Sequence, residues 1–129
     1  IKQYVMYSTI PIIFGCFFLY YTSGFVGEVL FPTGYSGLVS SLEILSLIPF
    51  SVNMIRLGDA LYTGTHKNKI NMIITLIAVS MLVFFTLILR DEPIESYLIV
   101  LVVVHFFHGL VSVLLGFKHL TFLTSKIVK

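Results

Sequence analysis

The chain has 129 residues, 57% of them hydrophobic and 11% charged, with a formal net charge of +2. A water-facing domain carries about a quarter charged residues, so a chain this poor in charge cannot cover a soluble surface, and a single domain dissolved in hydrocarbon is the reading that remains. The small net charge, with no basic block interleaved with aromatics, excludes a nucleic-acid partner, and a single cysteine, Cys16, excludes an intrachain disulfide.

A membrane-crossing helix needs about 20 mainly apolar residues. Four segments supply them, at about 4–30, 37–57, 70–89 and 97–117. The first residue is Ile1 rather than Met, so sequence is expected to precede it. The first run is longer than a signal-peptide core and has no clean small-x-small cleavage site, which predicts a retained span. Its Gly15, Ser23, Gly24 and Gly27 are positions where another backbone is expected to approach.

Phe31-Pro32-Thr33-Gly34-Tyr35-Ser36-Gly37 reads as a turn into the second and most polar span. At helical spacing Ser36, Ser40, Glu43, Ser46 and Asn53 share one broad face of it, and Pro49 interrupts it, freeing a carbonyl near Leu45. Glu43 is the one acid well inside a span. An ionisable group in lipid is costly and is expected to face the bundle or a wet cavity; a hydrogen-bonded acid that merely fixes helix packing is the plainer role.

Gly58 and Asp59 through Lys69 read as a polar loop. The third span then places Asn71, Thr75, Ala78, Leu82 and Thr86 near one face, the expected bundle side, with Ile, Leu, Val and Phe opposite. Arg90-Asp91-Glu92-Pro93-Ile94-Glu95-Ser96 is a charged turn, with Glu95 and Ser96 placed to cap the fourth helix. In that helix His105, His108, Gly109, Ser112, Gly116 and His119 fall within about a third of the circumference. By helix rise His105 lies about 12 Å and Glu43 about 9 Å below the same boundary, so Glu43 is expected to contact His105 or His108, directly or through water.

The fold expected is therefore an all-α membrane protein, four transmembrane helices in an antiparallel up-down bundle, because short connections make sequential helices antiparallel neighbours. Lys2, Arg56, Lys67, Lys69, Lys118, Lys126 and Lys129 fall on one side, whereas Arg90 stands with Glu28, Asp91, Glu92 and Glu95 on the other. The positive-inside rule then expects both termini on the cytoplasmic or equivalent side, and Tyr4, Tyr7, Tyr35, Tyr62 and Tyr97 near span ends read as interfacial aromatics.

Gly116-Phe117-Lys118-His119-Leu120 resembles the Gly-Ile-Arg-His-Leu stretch of succinate dehydrogenase membrane anchors over those five residues, and that family continues with a further helix. The DoxX-like family of small four-helix membrane proteins is similar in size and in an acid in helix two, here Glu43. His105 and His119 are also spaced as two haem ligands on one helix of b-type cytochromes, but axial ligation needs a second histidine from a facing helix, and the first three spans contain none.

No phosphate-cradling loop, Ser-His-Asp set or His-Glu-x-x-His occurs, so no catalytic and no metal-ligating residues are assigned. The expected role is a small non-catalytic subunit packing within a larger membrane complex, such as a respiratory or other electron-transfer assembly, with larger membrane subunits and bound lipid as partners. One alternative is a haem- or quinone-binding anchor using His105, His108 or His119; the plainer role for these histidines is hydrogen bonding between helices. Another is a small proton-coupled transporter with Glu43 as titrating group. Asn53 and Ser112 complete the intramembrane polar set.

Overall fold

The computed structural model describes the backbone of residues 2–30 and 37–127 and the side chains of residues 7–30 and 37–122. The 31–36 turn with Tyr35 and Ser36, the side chains of Lys2, Tyr4 and Lys126, and all of Lys129 lie outside the described residues. Five helices follow in order: α1 (Lys2–Leu30), α2 (Leu38–Leu45), α3 (Ile48–Gly64), α4 (Asn68–Ile88) and α5 (Ile94–Ile127). Because α2 and α3 run on as one crossing, there are four helical segments long and apolar enough to span a membrane: Tyr7–Leu30, Leu38–Gly64, Asn68–Ile88 and Ile94–Phe122. No strand occurs among the described residues. The reason is local: backbone groups in hydrocarbon must be paired within their own segment.

The break in the second crossing lies at Ser46 and Leu47, just ahead of Pro49. Proline has no N–H to give to Leu45, but it is tolerated in a first turn, where that donor is unpaired anyway. The chain therefore starts a new helix at Ile48 instead of kinking an old one. Ser46 and Ser51 are buried at the break and hand their hydroxyls to Glu43 O (2.6 Å) and Ile48 O (2.9 Å).

Two boundaries move relative to the sequence reading. Gly58 to Gly64 are helical rather than a loop, and α5 runs on to Ile127. The extension of α3 is explained by its buried residues, Leu57, Gly58, Leu61, Tyr62 and Thr65, which continue one helical stripe. The helix then stops in a Schellman turn: Lys67 N–H donates to Tyr62 O (2.9 Å) and His66 N–H to Thr63 O (3.2 Å), with His66 in the left-handed region at φ 56°.

The tightest helix pair is not sequential. α3 packs along α5, the diagonal partner in an up-down order, and the two run parallel and in register. Ser40–Glu95, Met54–Gly109 and Leu61–Gly116 are each 55 residues apart. Small residues make this approach possible. A Cβ on Gly109 would stand 2.6 Å from Met54 Cβ and 3.1 Å from Ser51 O; one on Gly116 would stand 2.8 Å from Leu61 Cβ; Gly58 abuts Ser112 directly. Leu57, Leu61 and Val113 form the buried apolar cluster at this seam, with Met54 and Leu120 against it.

The other two crossings flank that pair. α4 lies on α5 and α3, and α1 makes its main contacts with α2 and α3. Asn53 on α3 donates to Thr9 Oγ1 on α1 (3.1 Å), and Gly27 takes the Val39 side chain against its backbone. Gly15 and Gly24, by contrast, have nothing within 4 Å of where a Cβ would be, so they are not approach points within this chain.

Candidate functional site

The polar side chains collect where α3, α4 and α5 meet. Asp59 stands on α3 five residues before its end, about 7 Å in from the 65–67 turn by helix rise. Asn71, in the first turn of α4, donates its Nδ2 to Asp59 Oδ1 at 2.6 Å. One turn further along α4, Thr75 Oγ1 pairs with His108 Nε2 at 3.3 Å. His108 also lies within electrostatic range of Asp59 and of His105. His105 donates from Nδ1 to Leu101 O of its own helix (2.8 Å), which leaves Nε2 as its free ring nitrogen. A small cavity of about 170 Å³, lined by Thr75, Ala78, Leu82, Val104, His105 and His108, lies beside the two histidines at the end of the row away from the turn. Asp59 to His105 is thus a polar row that starts near one end of the bundle and stops near its middle.

Among the described residues three buried polar side-chain atoms lack a hydrogen-bond partner, Asn71 Oδ1, Ser112 Oγ and Tyr62 Oη, and all three belong to these same helices. Buried polar atoms are nearly always paired, so an unpaired one asks for an explanation. Ser112, fully buried, earns its place by size, since it sits against Gly58. Tyr62 is no interfacial residue: it is 0% exposed, its ring tilted against His119 with centroids 6.4 Å apart. The reason is that α3 continues past Leu57 and carries Tyr62 into the α3–α5 seam.

The expected direct contact between Glu43 and a histidine is absent. Among the described residues the half-buried Glu43 carboxylate has no hydrogen bond or ion pair, whereas His105 and His108 find their partners on α5 and α4. The acid that reaches across to α2 is Glu95: its carboxylate accepts from Ser40 Oγ (3.4 Å) and lies over Gly37 at the start of α2, where an anion complements the helix dipole. Glu95 thus works across to α2 from the first turn of α5, in addition to any capping of its own helix. Asn53 takes its place as the α1–α3 link described above.

Sequence reasoning missed Asp59, which it left in a loop at the membrane face. The signal was there, in the helical spacing of Asn53, Leu57 and Leu61 running through it. Of the stripe expected on the bundle side of α4, Ala78 is buried and Asn71 and Leu82 are half-buried, whereas Thr75, which still reaches His108, and Thr86 are exposed.

A haem needs ligands from facing helices. His105, His108 and His119 all stand on α5, and no histidine faces them from another span; the remaining one, His66, is in the 65–67 turn. The cavity beside His105 and His108 is also below the roughly 300 Å³ at which organic ligand sites begin. Two larger hollows, each about 420 Å³ and apolar, open instead on either side of Leu47 and Phe50, towards α1 and towards α5, with no histidine in their lining. The described residues therefore do not fit a haem held by two histidines.

The surface of α1 is aromatic along most of its length. Tyr7, Phe14, Phe17, Phe18, Tyr20, Tyr21 and Phe25 are exposed. Tyr21, 77% exposed, stacks on Phe17 and meets Tyr20 edge-on. Nine and ten residues before Leu30, these two tyrosines lie about 14 Å inside the helix end, close to the middle of a ~30 Å hydrocarbon layer. No protein-family model matches the chain, and no curated protein or solved structure does so either.

Proposed function

We propose that the chain is a small integral membrane subunit that works by packing against further transmembrane helices, with the aromatic face of α1 as its docking side. The observation that supports this is the position of Tyr20 and Tyr21. Tyrosine normally sits at the membrane interface, where its hydroxyl meets water. These two hydroxyls are at mid-depth on an exposed face and have no hydrogen-bond partner among the described residues. A hydroxyl left unpaired in hydrocarbon costs several kcal/mol, of order 4–8 on a cyclohexane scale. A neighbouring helix that offers carbonyl or hydroxyl oxygens removes that cost. The hollow beside them, lined by Ile13, Cys16, Phe17, Leu47 and Phe50, gives the side chains of such a helix somewhere to enter.

The opposite flank carries no exposed tyrosine. α4 turns Met72, Ile73, Leu76, Ile77, Val83, Phe84, Leu87 and Ile88 outward, with the small hydroxyls of Thr75, Ser80 and Thr86 among them, a mainly apolar surface suited to lipid.

A photocrosslinking residue placed at Tyr21, with Val83 as the control, tests the reading in native membranes. Crosslinking to one discrete protein from position 21, and to lipid from position 83, is expected, and Tyr20→Phe with Tyr21→Phe should lower co-purification of that protein several-fold. A product of twice the chain's mass would make the partner a second copy. Lipid adducts alone at both positions would remove the proposal.

A further inference from the structure

We propose that Asp59, Asn71, Thr75 and His108 form an intramembrane proton-binding site, open to the membrane face that carries the 65–67 turn and closed towards the other face. The site is independent of whatever packs against α1.

The first argument is chemical. Apart from Asp59, each member of the row can both donate and accept: the Asn71 amide, the Thr75 hydroxyl and the His108 imidazole. With Asp59 ionised, Asn71 Nδ2 donates to its carboxylate, as observed at 2.6 Å. Asn71 Oδ1 is then the buried acceptor left over. With Asp59 protonated, turning the amide over lets the new carboxyl O–H donate to that oxygen, so the orphan is paired. Likewise Thr75 donates to a neutral His108 Nε2 and accepts from a protonated one across the same 3.3 Å. One Asn71 amide atom is left over in either state, Oδ1 with Asp59 ionised and Nδ2 with it protonated, so taking up a proton adds no further unpaired group in a low-dielectric interior, where one is most costly. A lysine or an arginine could not do this.

The second argument is placement. Asp59 is partly exposed and near the end of α3, close to the turn that carries His66 and Lys67 and to Lys69 at the start of α4. Beyond His105 the cavity wall is Ala78, Leu82 and Val104, and α4 carries no ionisable residue from there to its end at Ile88. The proton comes from water at the 65–67 face and returns to the same face; no bond to carbon changes and no electron moves. The titratable groups facing His108 are Asp59 from α3 and His105 from α5; α4 contributes only the neutral Asn71 and Thr75. Glu43, on α2, is not part of the row.

The site is read by pH-difference infrared spectroscopy on the full chain in lipid nanodiscs. Acidification is expected to produce a protonated-carboxyl band that moves to lower frequency when the aspartates carry a ¹³C carboxyl. Asp59 and Asp91 are the aspartates of the chain, and Asp91 is an exposed turn residue whose side chain is 94% accessible. Asp91→Asn should therefore keep the label-sensitive band, and Glu43→Gln should keep it too, while Asp59→Asn abolishes it and His108→Gln displaces it. A band insensitive to the aspartate label, or one lost in Asp91→Asn, overturns the site even if Asp59→Asn fails to fold. In sealed vesicles of known orientation the band should rise on a pH jump at the 65–67 face alone, and an equal response from both faces would overturn the one-sided entry.

Discussion

The glycines of the chain divide into two kinds, and only the neighbours tell them apart. At Gly58 and Gly109 a side chain would collide with the facing helix, with backbone as well as side chain: Ser112 C is 3.2 Å from a Cβ on Gly58, and Ile55 N and Ser51 O are 3.1 Å from one on Gly109. Backbone cannot move aside cheaply, so Gly58→Ala and Gly109→Ala should each destabilise by about 1–3 kcal/mol, the usual cost of overpacking. Gly24→Ala meets nothing within 4 Å and should be neutral or stabilising by up to about 1 kcal/mol, as removing glycine from a helix usually is. Thermal unfolding of the three variants in one detergent checks both statements. The sequence placed Gly109, Ser112 and Gly116 on a packed seam, which they occupy. It treated Gly15 and Gly24 in the same way, and these, though half-buried, have open space where a side chain would stand, because spacing along a helix says which residues share a face and not which face meets protein.

Between elements, polar side chains do what apolar ones cannot do in lipid, which is to specify a partner. Asn53 and Thr9 join α3 to α1 at 3.1 Å, and Asn53 is buried with its amide in the seam. Asn53→Leu and Thr9→Val should each cost stability, and the double-mutant cycle should return a coupling of about 0.6–1.7 kcal/mol, the range for hydrogen bonds between membrane helices. Additive losses would mean that the pair is adjacent without being bonded. The break at Ser46 and Leu47 belongs to the same scale. Pro49 announced it, and the two buried serines quench the local carbonyls. The continuation of α3 to Gly64, marked only by the spacing of Asn53, Leu57 and Leu61, takes Asp59 out of the turn and into the polar row with Asn71 and His108.

For the whole molecule, four crossings in alternation would put the two chain ends on one face, which remains an expectation to be tested. Tags at the ends should therefore label from the same side of sealed vesicles, and that side should be the one reached by a label at Asn68, at the start of α4. Labels appearing from opposite sides would mean an odd number of crossings. The count and helical nature of the crossings were determined by the sequence alone, their lengths only in part. About 20 apolar residues in hydrocarbon have to satisfy their backbone within the segment, and that requirement is local. Only the tertiary structure decided that the second and fourth crossings form the central pair, that α1 and α4 flank it, and that Asp59 rather than Glu43 joins the histidines. The physical reason is that a leucine against lipid and a leucine against a helix have the same chemistry, so hydropathy carries no record of pairing. Pairing depends on where a small residue on one helix comes level with a larger one 55 positions away, as Gly116 does with Leu61.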